Sequence, residues 1–141
     1  MRSKVVTVFG GSGFLGRYVV QRLAELGATL RVPTRHPDQA IHLKPLGAVG
    51  QIVLERWSGG VPSELERMLA GSQAAVNLIG LLHEPRRGDF ARLQGQMPGL
   101  LGEAANRVRN GPARRRQAFV AIWPTASLPS TQMPKSSSWV I

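Results

Sequence analysis

The sequence predicts an α/β fold in which parallel strands alternate with helices, and three observations predict it. A nearly continuous β-branched run near the N-terminus, Lys4 to Phe9, has the character of a strand buried on both faces. A glycine-rich turn follows at once and opens into an amphipathic helix, and apolar strand-like and helix-like segments then keep alternating for about a hundred residues.

Each element has a local cause. From Phe14 to Leu26 the apolar residues Leu15, Val19, Leu23 and Leu26 recur at helical spacing, with Arg17, Gln21, Arg22 and Glu25 opposite and Gly27 placed as a C-terminal cap. Ala28 to Val32 returns as a second strand, which completes a strand, turn, helix and strand within the length of one βαβ unit. Pro33 to Asp38 is rich in turn formers and is expected to end that strand. A short helix around Gln39 to Leu46 and a third strand, Gly50 to Leu54, come next. Pro62 to Leu69 reads as a helix with proline at its start and Gly71 beyond its end, and Ala74 to Leu82 as a fourth strand. A helix from Phe90 to Val108, weakened by Pro98 and Gly99, leads to a fifth strand at Gln117 to Ile122.

After Trp123 the periodicity fails among prolines and hydroxyl residues, so residues 1–122 are expected to form one incomplete domain and residues 123–141 an irregular, disordered tail. The abrupt loss of pattern suggests a truncated or frame-shifted product. A sheet of about five strands would leave one edge without its usual neighbours, and an open edge invites self-association.

Composition narrows the function classes. The chain has 141 residues, 43% of them hydrophobic, enough for one core. With no cysteine it has no disulfide and no thiolate metal site, and its three histidines, His36, His42 and His83, lack metal-binding spacing, so no metal is expected. The apolar run at Val5 to Phe9 is too short for a signal peptide or a membrane span, which points to the cytoplasm. Net charge is +10, and the excess gathers in the C-terminal portion, where six basic residues and no acid follow Glu103. The stretch from Arg107 to Arg116 could hold nucleic acid or anionic headgroups, yet such a run beside a helix end is more often a solvated surface, and no specific nucleic acid is expected.

The chemistry lies in Gly10-Gly11-Ser12-Gly13-Phe14-Leu15-Gly16. In the dinucleotide-binding turn of Rossmann folds, the first glycine permits the tight turn and the second lets the backbone approach a pyrophosphate. The third lets the helix pack on the first strand, and the helix N-terminus offers N–H groups to the anion. Where such folds present an acid to the ribose 2′-hydroxyl, this chain has Arg35, with no Asp or Glu between Glu25 and Asp38, so NADP(H) is favoured over NAD(H). A solvated loop arginine is the alternative.

With that turn, Arg35-His36-Pro37, His42 to Gly47, Val49 to Val53 and Asn77 to Gly80, the chain resembles the N-terminal part of an atypical extended short-chain dehydrogenase/reductase. The resemblance is strongest to the nucleotide-binding accessory subunit of respiratory complex I and its bacterial epimerase/dehydratase-like relatives, over about Met1 to Val108. It implies that the glycine turn and Arg35 hold NADPH and that Asn77, Leu78, Ile79 and Gly80 close over the cofactor. It also implies contact with complex I subunits, peripheral on the inner face of the membrane. The alternative for Asn77 is a strand residue satisfied by backbone.

The superfamily's Tyr-x-x-x-Lys pair, in which lysine lowers the tyrosine pKa for proton transfer, has no counterpart. The only tyrosine is Tyr18, and Lys135 has Thr131 four residues before it. A non-catalytic dinucleotide-binding protein is therefore the leading reading. An oxidoreductase or epimerase using His83 or Glu84 is the alternative.

Overall fold

The computed structural model describes residues 4–58, 62–79 and 97–110. In order along the chain these form β1 (Val5–Phe9), α1 (Phe14–Glu25), β2 (Thr29–Thr34), a 3₁₀ helix (Ile41–Leu46), β3 (Ile52–Arg56), α2 (Pro62–Leu69), β4 (Ala74–Asn77) and α3 (Met97–Asn110). The strands make one parallel sheet in the order β3-β2-β1-β4.

Strand alternation sorts the side chains into two cores, because successive residues face opposite sides of a sheet. On one face Val6, Val8, Leu30, Val32, Ile52 and Val76 pack against Val20 and Ala24 of α1 and Leu43 of the 3₁₀ helix. On the other face Phe9 and Trp57 pack with Leu65, Met68 and Leu69 of α2 and Ala104 of α3. Full burial of such side chains contributes roughly 1.5–3 kcal/mol each, so the two layers hold the sheet from both sides. On the second face Trp57 Nε1 is buried with no hydrogen-bond partner among the described residues, whereas the other polar groups there are paired. Thr7 Oγ1 donates to Met68 O at 3.0 Å and lies 2.6 Å from Ser72 Oγ, both residues being fully buried. Arg31 pairs with Glu55 on β3 at 2.8 Å and donates to Ala70 O beyond the end of α2.

Helix α1 ends in a Schellman motif as its glycine requires. Gly27 has φ +82°, its N–H donates to Ala24 O, and Ala28 N–H donates to Leu23 O. Gln51 closes the same end from outside, with Nε2 donating to Ala24 O and Ala28 O while Oε1 accepts from Ala48 N–H.

Several sequence expectations are corrected. Strand β2 does not stop at Val32 but runs through Pro33 to Thr34. Thr29 N–H bonds toward β1 and Leu30 N–H toward β3, so alternation turns Pro33 toward β1, where the ladder has already ended at the Thr7–Arg31 pair. The missing N–H falls on the β1 side, so pairing with β3 continues through Pro33–Glu55 and Thr34–Arg56. The segment before β3 is a 3₁₀ helix, with Pro45 inside it, rather than a helix from Gln39. Helix α3 is described from Met97 to Asn110, with Pro98 and Gly99 helical within it; residues 90–96 of the expected helix lie outside the described residues. The expected fourth strand is described only as far as Ile79 and leaves the ladder after Asn77; the fifth strand and the tail lie outside the described residues.

Arg107, in the basic stretch, pairs with Glu66 of α2 at 2.9 Å and with Glu103 at 3.7 Å, so it ties α3 to α2. The hydrogen bond and charge of Glu66 hold its guanidinium above the ordinary arginine range. Arg114, Arg115 and Arg116 lie outside the described residues.

Candidate functional site

The strand order reverses between β1 and β4. In open parallel sheets a crevice forms at the carboxyl ends of the strands on either side of such a reversal. Here that position is occupied by the glycine turn, which leaves Phe9 at the end of β1, and by Leu78–Ile79, which leave Asn77 at the end of β4.

The turn is built by what its residues lack. Gly10 has φ +76°, a conformation in which a Cβ is strained. A Cβ there would also stand 2.7 Å from Leu78 C and 2.9 Å from Ile79 N, so the glycine is what lets the end of β4 come against the end of β1. Leu78 N–H donates to Phe9 O at 2.8 Å and fixes that approach. The turn closes on itself through Gly13 N–H to Gly10 O at 3.1 Å. A Cβ on Gly16 would collide with Gly10 O and lie 2.6 Å from Gly11 Cα. The close packing of the third glycine is therefore against the turn itself, and not against the body of β1 as the sequence reading had it. Gly11 has a role that sequence reasoning missed. It is buried, and a Cβ would stand 2.9 Å from Val32 Cγ1 and 3.2 Å from Val20 Cγ2, so the turn lies directly on the core.

The result is a helix start prepared for an anion. Gly13 is the N-cap of α1, has extended backbone and makes no side-chain cap. The first intrahelical bond runs from Arg17 N–H to Gly13 O, so the N–H groups of Phe14, Leu15 and Gly16 precede the ladder. No acid stands in the first turn, and Ser12, Gly13, Phe14 and Leu15 are exposed. Backbone dipoles with nothing of their own to satisfy them are what a phosphate group needs. On the physical grounds of its glycine cradle and uncapped helix, this turn fits the pyrophosphate of a dinucleotide.

The other residues of the sequence reading fall at the same edge. Arg35 directly follows β2 on a bend held by His36 N–H to Thr34 Oγ1 at 3.3 Å; it is exposed and pairs with no carboxylate among the described residues. Asn77 is buried, and its Oδ1 accepts from Ile79 N–H at 3.1 Å, which shapes the chain against Gly10. This is the backbone-satisfied arrangement that was the alternative reading of Asn77. Leu78 and Ile79 are half-buried beside the turn; Gly80, His83 and Glu84 lie outside the described residues. Tyr18 sits on the exposed flank of α1, opposite the helix face that packs on the sheet. Among the described residues no group of three His, Asp or Glu side chains is arranged to hold a metal, and no helix is long and apolar enough to cross a membrane.

Strand order and turn together define a Rossmann-like α/β chain. Comparison with known proteins narrows that class. No protein-family model matches the chain. It is 40% identical over 87 residues to the mitochondrial NADH dehydrogenase (ubiquinone) 1 alpha subcomplex subunit 9 of Arabidopsis thaliana, a match covering 61% of this chain and 22% of that one. It is 33% identical over 102 residues to the subunit of the same name from Rattus norvegicus, covering 72% and 27%. A chloroplastic epimerase family protein of Arabidopsis thaliana is 31% identical over 113 residues, covering 79% of this chain and 31% of that one. The chain thus spans about a quarter of the length of the two respiratory subunits.

Among solved structures, a short-chain dehydrogenase/reductase from Serratia marcescens superposes with a TM-score of 0.65 at 18% identity, covering 85% of this chain and 55% of that one. Uronate dehydrogenase from Agrobacterium tumefaciens, complexed with NAD, superposes with a TM-score of 0.58 at 26% identity, covering 74% and 37%. The fold is that of the short-chain dehydrogenases/reductases, and the sequence relatives are those that the motifs suggested.

Proposed function

We propose that the chain binds a nicotinamide dinucleotide through its glycine turn and serves as a non-catalytic, cofactor-holding part of a respiratory assembly. The observation that carries the binding is the uncapped start of α1 at the strand-order reversal, reached through a turn that only glycine can make at Gly10. The pyrophosphate would lie on the turn of Gly10, Gly11, Ser12, Gly13, Phe14, Leu15 and Gly16, whose N–H groups at Phe14, Leu15 and Gly16 precede the helical ladder. Asn77, Leu78, Ile79 and Gly80 would border it on the β4 side. Arg35, exposed and without a carboxylate partner among the described residues, suits a ribose 2′-phosphate, so NADP(H) is preferred over NAD(H).

The respiratory part rests on the subunits to which the chain is similar, and with it go contact with neighbouring complex I subunits and a peripheral place at the inner face of the membrane. Self-association through a sheet edge belongs to the same proposal; a strictly monomeric species by light scattering would remove it.

The test is calorimetric titration of the purified chain with NADPH and then NADH, repeated with Arg35→Ala. NADPH should bind more tightly than NADH, and Arg35→Ala should erase the difference. A folded chain that binds neither would refute the proposal. The dehydrogenase neighbours favour a second reading, an oxidoreductase of the short-chain type. NADPH turnover with a carbonyl substrate, abolished on changing His83, would establish it instead.

A further inference from the structure

Resting on the dinucleotide reading above, we propose that Arg17 is the side-chain cation of the pyrophosphate site. A pyrophosphate bridge brings two negative charges, and residues 10–16 answer them with backbone dipoles and the Ser12 hydroxyl, since the turn contains no charged side chain. Arg17 is the first charged residue after it and the fourth of α1. Helical side chains lean toward the N-terminus, and here the lean is fixed by contacts. The Arg17 guanidinium carbon lies 5.5 Å from the ring centroid of Phe14, the first helical residue, and 4.9 Å from that of Tyr18. Its Nη2 donates to Tyr18 Oη at 3.1 Å, and the two rings pack edge to face at 5.8 Å.

The cation is therefore held over the first turn of the helix rather than left in bulk solvent. That is the end where the helix dipole opposes a positive charge. No acid in the first turn offsets it, and no carboxylate of a described residue pairs with Arg17. Two exposed rings supply the attraction that keeps it there, Phe14 at 71% and Tyr18 at 52% relative exposure. What the arrangement lacks is an anion, and a guanidinium fork on a flexible stem matches two phosphate oxygens in one geometry. Arg17 and Arg35 thus divide the cofactor: Arg17 answers the bridge common to NAD(H) and NADP(H), and Arg35 answers the 2′-phosphate.

The experiment is calorimetric titration of the full chain and of Arg17→Gln and Arg17→Lys with ADP-ribose, NADH, NADPH and adenosine 2′-monophosphate. Loss of one charged phosphate contact should weaken ADP-ribose, NADH and NADPH alike by about tenfold in Arg17→Gln. Arg17→Lys should recover part of that loss. Adenosine 2′-monophosphate, which has no bridge, should be unaffected by Arg17→Gln and weakened by Arg35→Ala. ADP-ribose affinity unchanged in Arg17→Gln, with wild-type binding intact, would overturn the role of Arg17 and leave the cofactor reading standing; a lower melting temperature alone in that variant would make Arg17 a helix-stabilising residue only. Weakening confined to NADPH would likewise overturn it, by moving Arg17 to the 2′-phosphate. Failure of the wild-type chain to bind ADP-ribose would overturn both readings together.

Discussion

Replacing Gly10 by alanine tests whether the turn is fixed by backbone strain or by the approach of β4. Two penalties act at this position. A side chain at φ +76° costs roughly 1–2 kcal/mol because its Cβ crowds the following carbonyl. The same Cβ would stand 2.7 Å from Leu78 C and 2.8 Å from Leu78 O, atoms of main chain that cannot rotate away, and forcing such a contact costs typically ~1–3 kcal/mol. The sum, about 2–5 kcal/mol, is a large part of the roughly 5–15 kcal/mol that holds an ordinary domain. Gly27 separates the two causes: at φ +82°, a Cβ there meets no atom within 4 Å, so Gly27→Ala carries the strain alone. Urea unfolding followed by circular dichroism should therefore place Gly10→Ala below Gly27→Ala by ~1–3 kcal/mol, or about 1–2 M in midpoint at a slope of roughly 1.5 kcal/mol/M. Gly10→Ala should also lose NADPH binding, since β4 must retreat from the turn, whereas Gly27→Ala keeps it. Equal destabilisation by the two substitutions would refute the claim that the approach of Leu78 and Ile79 defines this site.

Other consequences follow from the same packing. Gly11→Ala should destabilise by about 1–3 kcal/mol through its contact with Val32, and adding Val32→Ala should relieve part of it, so a double-mutant cycle in thermal unfolding would show favourable coupling. Thr7→Val should cost about 1–3 kcal/mol by stripping Met68 O and Ser72 Oγ of a buried partner, and Thr7→Val with Ser72→Ala should cost less than the sum of the two. Gln51→Ala removes three hydrogen bonds at once, to Ala24 O, Ala28 O and Ala48 N–H, with Ala24 O still held by Gly27 N–H; hydrogen exchange at Ala48 should accelerate and stability fall by ~1–3 kcal/mol.

Much of the architecture was legible in the chain because its causes are local. The β-branched run gave β1, the 3.6-residue spacing gave α1, and Gly27 gave its cap. Pro62 and Gly71 bracketed α2, whose bounds match the expected ones. Where the reading slipped, a neighbour decided. Pro33 looks like a strand terminator in isolation, and only the ladders show that its nitrogen faces β1, where pairing stops at Arg31, while pairing with β3 carries the strand on to Thr34. Asn77 carries no signal in sequence to say whether its amide serves a ligand or its own chain; the bend that puts Ile79 N–H within 3.1 Å of its Oδ1 is set by packing against Gly10.

The candidate site divides the same way. The spacing of Gly10, Gly13 and Gly16 between a strand and a helix determined that a tight turn would run into an uncapped helix start, because Gly10 and Gly16 leave no room for a Cβ and the first helical N–H groups have no partner in the ladder. Gly11 as the floor of the turn, the contact of Gly10 with Leu78, and Arg17 held between Phe14 and Tyr18 were decided by tertiary structure. The first two join residues more than twenty and more than sixty positions apart, which no local periodicity encodes. In the third the spacing brings the residues onto one flank of α1, but only the packing of the opposite flank on the sheet leaves those rings in solvent, free to hold a cation.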